Sequence, residues 1–214
     1  MFQHKMAKDS RISSILLFGI PCAGKGTVGK AVSAEFPRIF YHLPSGDLVR
    51  EAQKARGELA EKINDYLQNG ILVPDEIMIP MYRGAVAARM ASGAFNPDSQ
   101  NLLVDGMCRT PAQAEELSDF LDFREVWNLT NVPNCEALKR SGIRAEEGRT
   151  DDTQNAMLKR IRDYWTVTYP TLDFFASRGT HIHCVNAYEP KSMVVEEMKR
   201  YVKVRFRVTG EWRP

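Results

Sequence analysis

The chain has no apolar run approaching the roughly 18 residues that a membrane span needs. It has only four cysteines, at positions 22, 108, 135 and 184, and no two form a Cys-x-x-Cys pair. A structural zinc site built on paired thiolates is therefore excluded. Neither sign of charge dominates: 29 Lys and Arg against 27 Asp and Glu leave a net charge of +2. That balance argues against a polyanionic tail or a general nucleic-acid coat protein. With 14 Gly and 11 Pro in 214 residues the chain is neither collagen-like nor of low complexity. The opening Met1-Phe2-Gln3-His4-Lys5 is polar and has no apolar core, unlike a secretory signal. His181 and His183 share one face of an expected strand but lack an evident third ligand, so a metal pair is not expected. What remains is 43% hydrophobic and 26% charged, the balance of a folded globular chain long enough for one domain. Four free thiols suit a reducing cytoplasm, and no membrane or nucleic-acid partner is expected.

Strand and helix signals alternate along the chain. Short apolar runs at 15–18, 40–43, 101–104, 125–129 and 181–185 read as buried strands. Between them, helical spacing predicts helices over 26–36, 46–69, 74–91, from Pro111, over 134–141, from Asp151 with a break near Pro170, and over 190–201. Gly70 reads as a helix stop, and 145–150 as a charged loop. Such alternation predicts an α/β fold, a parallel sheet flanked by helices. Ligands then bind beyond the carboxyl ends of the strands. The tail from Lys203 reads as a solvated, loosely packed extension.

The loop after the first strand reads Gly19-Ile20-Pro21-Cys22-Ala23-Gly24-Lys25-Gly26-Thr27. Gly19, Gly24 and Lys25 satisfy the Gly-x-x-x-x-Gly-Lys pattern of a phosphate loop. Backbone N–H groups at a helix N-terminus converge on an anion, and the helix dipole adds to their field. Lys25 supplies a mobile cation. Gly26 stands where Ser or Thr usually follows the lysine, with Thr27 one place later.

Further segments stand in register with this loop. They are Ser45-Gly46-Asp47-Leu48-Val49-Arg50, Leu72-Val73-Pro74-Asp75-Glu76, and Asp105-Gly106-Met107-Cys108-Arg109-Thr110 with Gln113. Arg140, Arg144, Arg149, Asp151, Asp152 and Arg160 follow. Together they resemble the adenylate kinases, over about residues 14–201. The resemblance implies a P-loop NTPase-type five-stranded parallel core in a single domain, 12–203, with 1–11 and 204–214 as extensions. It implies a monophosphate-binding lobe near 44–73 and a short lid near 145–152. The implied reaction is Mg2+-dependent, reversible phosphoryl transfer from ATP to AMP, giving two ADP, by a monomeric cytoplasmic enzyme. No structural zinc is implied, since the short-lid members lack the cysteine site.

Carried over residue by residue, the resemblance gives the donor phosphates to Cys22, Ala23, Gly24, Lys25, Gly26 and Thr27, with Arg140 and Arg144. Arg50 and Arg109 hold the acceptor phosphate, and Arg140, Arg144, Arg149 and Arg160 bracket the transferring group. Ser45 and Gln113 match the positions that read the adenine of AMP; Gly106 and the chain at Ile71, Leu72 and Val73 line the same site, which Arg149 and Arg160 also reach. Asp105 orients Mg2+ through water. The resemblance also leaves two rivals open, a UMP/CMP kinase of the same fold and a nucleotide-binding sensor without turnover. A GTPase is disfavoured because no Asn-Lys-x-Asp motif is present.

Two departures stand out. Cys22 occupies a position that is usually glycine, and Cys108 one that is usually proline. A positive φ at Cys22 would cost about 1 kcal/mol or more, and loss of the proline would loosen the loop presenting Arg109. Both thiols are expected near nucleotide, where cations lower a thiol pKa, so thiol modification is expected to inhibit.

Overall fold

The computed structural model describes residues 11–55, 57–68, 71–146 and 153–207. Strand β1 (Ile12–Gly19) is followed by helix α1 (Lys25–Glu35) and strand β2 (Phe40–Pro44). Helices α2 (Ser45–Lys54), α3 (Glu58–Gln68) and α4 (Asp75–Ala91) lead to strand β3 (Asn101–Asp105). Then come α5 (Pro111–Leu117), β4 (Leu121–Thr130), α6 (Asn134–Glu146) and α7 (Gln154–Asp163). A π-helical turn (Tyr164–Thr168), α8 (Thr171–Ser177), β5 (His181–Asn186) and α9 (Lys191–Arg205) complete the order.

The five strands form one parallel sheet in the order β2-β3-β1-β4-β5. Ile15, Leu16, Leu17 and Phe18 of the central strand are all buried, because helices cover both faces of the sheet. The connections leaving the neighbours β1 and β3 run in opposite directions, which opens a crevice at their carboxyl ends. Register sets Leu17 beside Asp105 and Pro44 on the other side of Asp105. The phosphate loop, the start of α2 and the loop after β3 therefore share one edge.

Two helices run beyond their expected spans, and one expected stretch is divided as its spacing predicts. The stretch 46–69 forms small helices, as its spacing predicts, divided where Ala55 turns extended and Gly57 takes φ 127°. Helix α6 continues through Glu146, so 145 and 146 are helical rather than loop. Gly70 and 147–152 lie outside the described residues, and with them most of the expected lid. Helix α9 continues through Arg205, and Phe206 packs edge-on to Phe40 with ring centroids 5.0 Å apart. Residues 203–205 are thus solvated, as expected, but continue the helix rather than hang loose, and Arg205 and Phe206 are tied back to the sheet. The physical reason is Glu125, a carboxylate buried in β4 that strand periodicity alone could not reveal.

Glu125 is 1% exposed and accepts hydrogen bonds from Trp127 Nε1 and Tyr201 Oη at 2.9 Å each, and from Arg205 Nε at 2.5 Å. Burial and then the Glu125 bond push the Tyr201 phenol pKa up. His183 stacks on Tyr201 with centroids 3.5 Å apart, and its pKa is lowered chiefly by burial. No group of three potential metal ligands occurs among the described residues. Removing the carboxylate strands two buried donors and an arginine, so Glu125→Ala should lose about 3 kcal/mol. Glu125 lies four residues before Leu129, which pairs with Gly19, a strand distance of about 13 Å. Chemical denaturation should reveal the loss, while kcat of the folded variant stays near that of the parent.

Candidate functional site

The loop between β1 and α1 has the shape that an anion site requires. Gly19, Cys22 and Gly24 take φ values of 139°, 62° and 102°. A Cβ on Gly19 would come within 2.6 Å of the Leu129 carbonyl oxygen, so only glycine fits there. Gly24 caps α1 with no side chain, and the first turn of α1 carries no acidic residue. The positive helix end is left open toward the loop.

Lys25, the first residue of α1, folds back over this loop. Its Nζ donates to the carbonyls of Gly19 at 2.7 Å and Ile20 at 3.1 Å. Burial lowers its pKa from 10.5; Asp105 and Cys22 act the other way, while Arg109 and Arg144 reinforce the lowering. The ammonium therefore stands in the shared field of all four groups.

Asp105 ends β3. Its Oδ2 lies 3.3 Å from His42 Nε2, and a Cβ on Gly26 would sit 3.6 Å from the same oxygen. Gly29 of α1 admits the His42 ring, since a Cβ there would meet Nε2 at 2.4 Å. Gly106 follows at φ 83°, close against Ser45 Oγ. Arg109 is tied by Nε to the Gly106 carbonyl at 2.8 Å. Burial, and next the charge of Arg160, lower the Arg109 pKa. Gln113 is buried; its Oε1 accepts from the Arg109 backbone N–H at 2.8 Å and its Nε2 donates to Asp75 Oδ1 at 2.5 Å.

Helix α6 contributes two arginines four residues apart. Arg140 is braced by Glu136 at 2.8 Å and the Ala187 carbonyl at 3.0 Å. Arg144 Nη1 approaches Cys22 Sγ at 2.9 Å, which ties α6 to the phosphate loop. Lys25, Arg109 and Arg144 thus converge with Asp105, and Arg160 stands in the field of Arg109. Such a concentration of cations in partial burial is unfavourable until an anion compensates it.

The remaining expected residues differ in burial and in the partners they keep. Arg50 pairs with Asp47 on its own helix. Val73 is buried, Leu72 half-buried, and Ile71 44% exposed with its N–H bonded to the Tyr66 carbonyl at 2.8 Å. Thr27 and Gly26 are exposed and Ala23 is buried in the loop. Arg149, Asp151 and Asp152 lie outside the described residues. His42 and Asp75 went without a role in the sequence. Only their partners, one strand or one helix away in space, give them one.

The two cysteines differ. Both take positive φ, 62° at Cys22 and 55° at Cys108, and proline could not adopt the latter. Cys108 is fully buried and its thiol pKa is pushed well up, by burial first and then by Asp75. It is no activated thiol, contrary to the expectation from its neighbourhood. Cys22 is partly exposed and accepts from Arg144, the environment that favours a thiolate. Alkylation should therefore inactivate through Cys22. Cys22→Gly should keep activity and resist iodoacetamide, although Cys135 and Cys184 remain exposed; an equally sensitive variant would count against this assignment.

A family model described as adenylate kinase matches residues 17–180. A Synechococcus adenylate kinase is 34% identical over 195 residues, covering 86% of this chain and 93% of the relative. An adenylate kinase of Maricaulis maris is 36% identical over 171 residues, covering 78% and 86%. One of Cyanothece is 32% identical over 199 residues, covering 89% and 95%.

Proposed function

Since the chain belongs to the adenylate kinase family, we propose that it transfers the terminal phosphoryl group of ATP to AMP, in both directions, at the carboxyl edge of its sheet. The observation that carries this reading is the convergence of Lys25, Arg109 and Arg144 on the phosphate loop beside Asp105. Two unit charges 4 Å apart repel by about 4 kcal/mol at an intermediate effective dielectric. Bringing two polyphosphates together demands that this repulsion be cancelled. Arginine suits the task, because its planar fork binds phosphate bidentately and keeps its charge.

The backbone of residues 22–27 and Lys25 would hold the donor phosphates. Lys25 would leave the Gly19 and Ile20 carbonyls for the phosphate oxygens. Arg109, with Arg50 released from Asp47, would hold the acceptor phosphate. Arg140, Arg144, Arg149 and Arg160 would close on the transferring group. A phosphate oxygen is already a nucleophile, so positioning and charge stabilisation carry the reaction and no general base is assigned. The lobe at 44–73 would take AMP, against Ser45, Gly106, Gln113 and the chain at 71–73. The lid at 145–152 would exclude water and so prevent hydrolysis of ATP.

Asp105 suits Mg2+. One carboxylate lies against the first turn of α1, beside the phosphate loop, as fits an ion held through water and by substrate phosphates rather than by a protein cage. Bound there, Mg2+ would neutralise charge on the donor phosphates. The free thiols suit a cytoplasmic enzyme, and we take the chain to act as a monomer. No helix among the described residues is long and apolar enough to cross a membrane.

The test is the initial rate of nucleoside diphosphate formation from Mg-ATP with AMP, CMP, UMP or GMP. A strong preference for AMP is expected. A preference for CMP or UMP would overturn the acceptor assignment while leaving the arginine roles. ATP binding without turnover of any acceptor would overturn the kinase reading in favour of a sensor.

A further inference from the structure

Asp75 is the first residue of α4, and no side chain caps that helix end. An acidic residue there usually serves its own helix N-terminus. Instead its Oδ1 accepts from Gln113 Nε2 at 2.5 Å, across the 38 residues that separate them in sequence. The other end of the same amide accepts from the Arg109 backbone N–H at 2.8 Å. Both neighbours are one-way groups: a backbone N–H can only donate, and a carboxylate can only accept. An amide is ordinarily free to turn over and exchange its oxygen and nitrogen. Here the exchange would set oxygen against carboxylate and N–H against N–H, at a side chain that is itself only 3% exposed.

We infer that Asp75 is a specificity-determining residue, which together with the Arg109 backbone N–H locks the Gln113 amide in the one orientation that accepts adenine and rejects a 6-oxopurine. The inference rests on the resemblance, in which Ser45 and Gln113 match the positions that read the adenine of AMP, and so on Gln113 as the group that faces the acceptor base. With its two bonds made, Gln113 retains one acceptor lone pair and one N–H. Adenine offers a donor at its 6-amino group and an acceptor at N1, which complement that pair. Hypoxanthine and guanine offer an acceptor at O6 and a donor at N1, the reverse. In a locked amide both positions then oppose like with like. A freely turning amide would accept either base. Asp75 acts through Gln113 and touches no substrate, so it is a positioning residue.

IMP is the cleanest probe, because it differs from AMP only at position 6 and N1. Asp75→Asn replaces the one-way acceptor with an amide that can itself turn, leaving the Arg109 N–H as the one remaining constraint on Gln113. The ratio of kcat/KM for AMP to that for IMP should fall by about tenfold or more in this variant. The KM for ATP should stay within about twofold, since the donor site is separate. Asp75→Glu restores a carboxylate and should recover much of the ratio. Calorimetric binding of AMP and IMP to each folded variant gives the same comparison without turnover. Gln113→Leu separates the two levels of the argument. If it collapses the ratio while Asp75→Asn does not, the lock is overturned and the base reading stands. If neither variant moves the ratio, the base is read elsewhere and both fall. A lower melting temperature for Asp75→Asn with an unchanged ratio would reduce Asp75 to a structural contact.

Discussion

Lys25→Met should lower kcat by about a thousandfold or more while leaving the protein at least as heat-stable as its parent. The first half follows from position. Lys25 is the one cation on the phosphate loop itself, and a group aimed at charge that develops in the transition state is worth about a hundred- to thousandfold or more. The second half follows from its electrostatics. Burial lowers the Lys25 pKa from 10.5, and Arg109 and Arg144 add to the lowering. A lysine with a depressed folded pKa destabilises the fold while charged. That cost is full below the lowered value and fades as pH rises toward 10.5. Methionine removes it at neutral pH and gives up two hydrogen bonds to carbonyls. Thermal unfolding at pH 7 and near pH 10 should show an advantage at the first that shrinks at the second. A destabilised, inactive variant would instead mark Lys25 as a structural residue.

Arg109→Ala should cost about a thousandfold in kcat/KM for AMP. Nε of Arg109 is fixed to the Gly106 carbonyl at the turn after β3, and its guanidinium stands in the repulsive field of Arg160. Asp105 and Asp75 offset that repulsion only in part, so burial and Arg160 still leave the guanidinium charge disfavoured until an anion arrives. Arg109→Lys keeps the charge but loses the planar fork, and should recover only part of the loss, to within about a hundredfold of the parent. The KM for ATP should change little in either variant. Steady-state rates with each substrate varied in turn decide this. Equal losses toward both nucleotides would mean that Arg109 acts on the fold of the site as a whole.

Much of this protein was legible in its residues. The phosphate loop declared itself because backbone geometry there demands glycine and lysine at fixed spacing, and such local constraints are written in order along the chain. The apolar run at 15–18 and its counterparts announced a buried parallel sheet for the same reason. Helix α4 matched its expected span because Pro74 and Asp75 mark its start. Small helices were legible in the spacing of 46–69, while the position of the break at Ala55 to Gly57 came from the backbone alone.

Relations between distant residues were settled by tertiary structure alone. Glu125 looks like an ordinary strand residue until Tyr201 and Arg205 arrive beside it from α9, 76 and 80 residues later. Periodicity predicts which face a residue occupies, and nothing in it says which partner will be there. Cys22 and Cys108 looked alike as thiols near nucleotide, yet burial made one inert and left the other against Arg144. Asp75 looked like a helix-opening acid and became the partner of Gln113. Loop shape and the apolar runs that mark the strands are written in neighbouring residues, so the sequence by itself determined them. Charge pairing, thiol character and amide orientation depend on neighbours in space, and only the folded chain decided those.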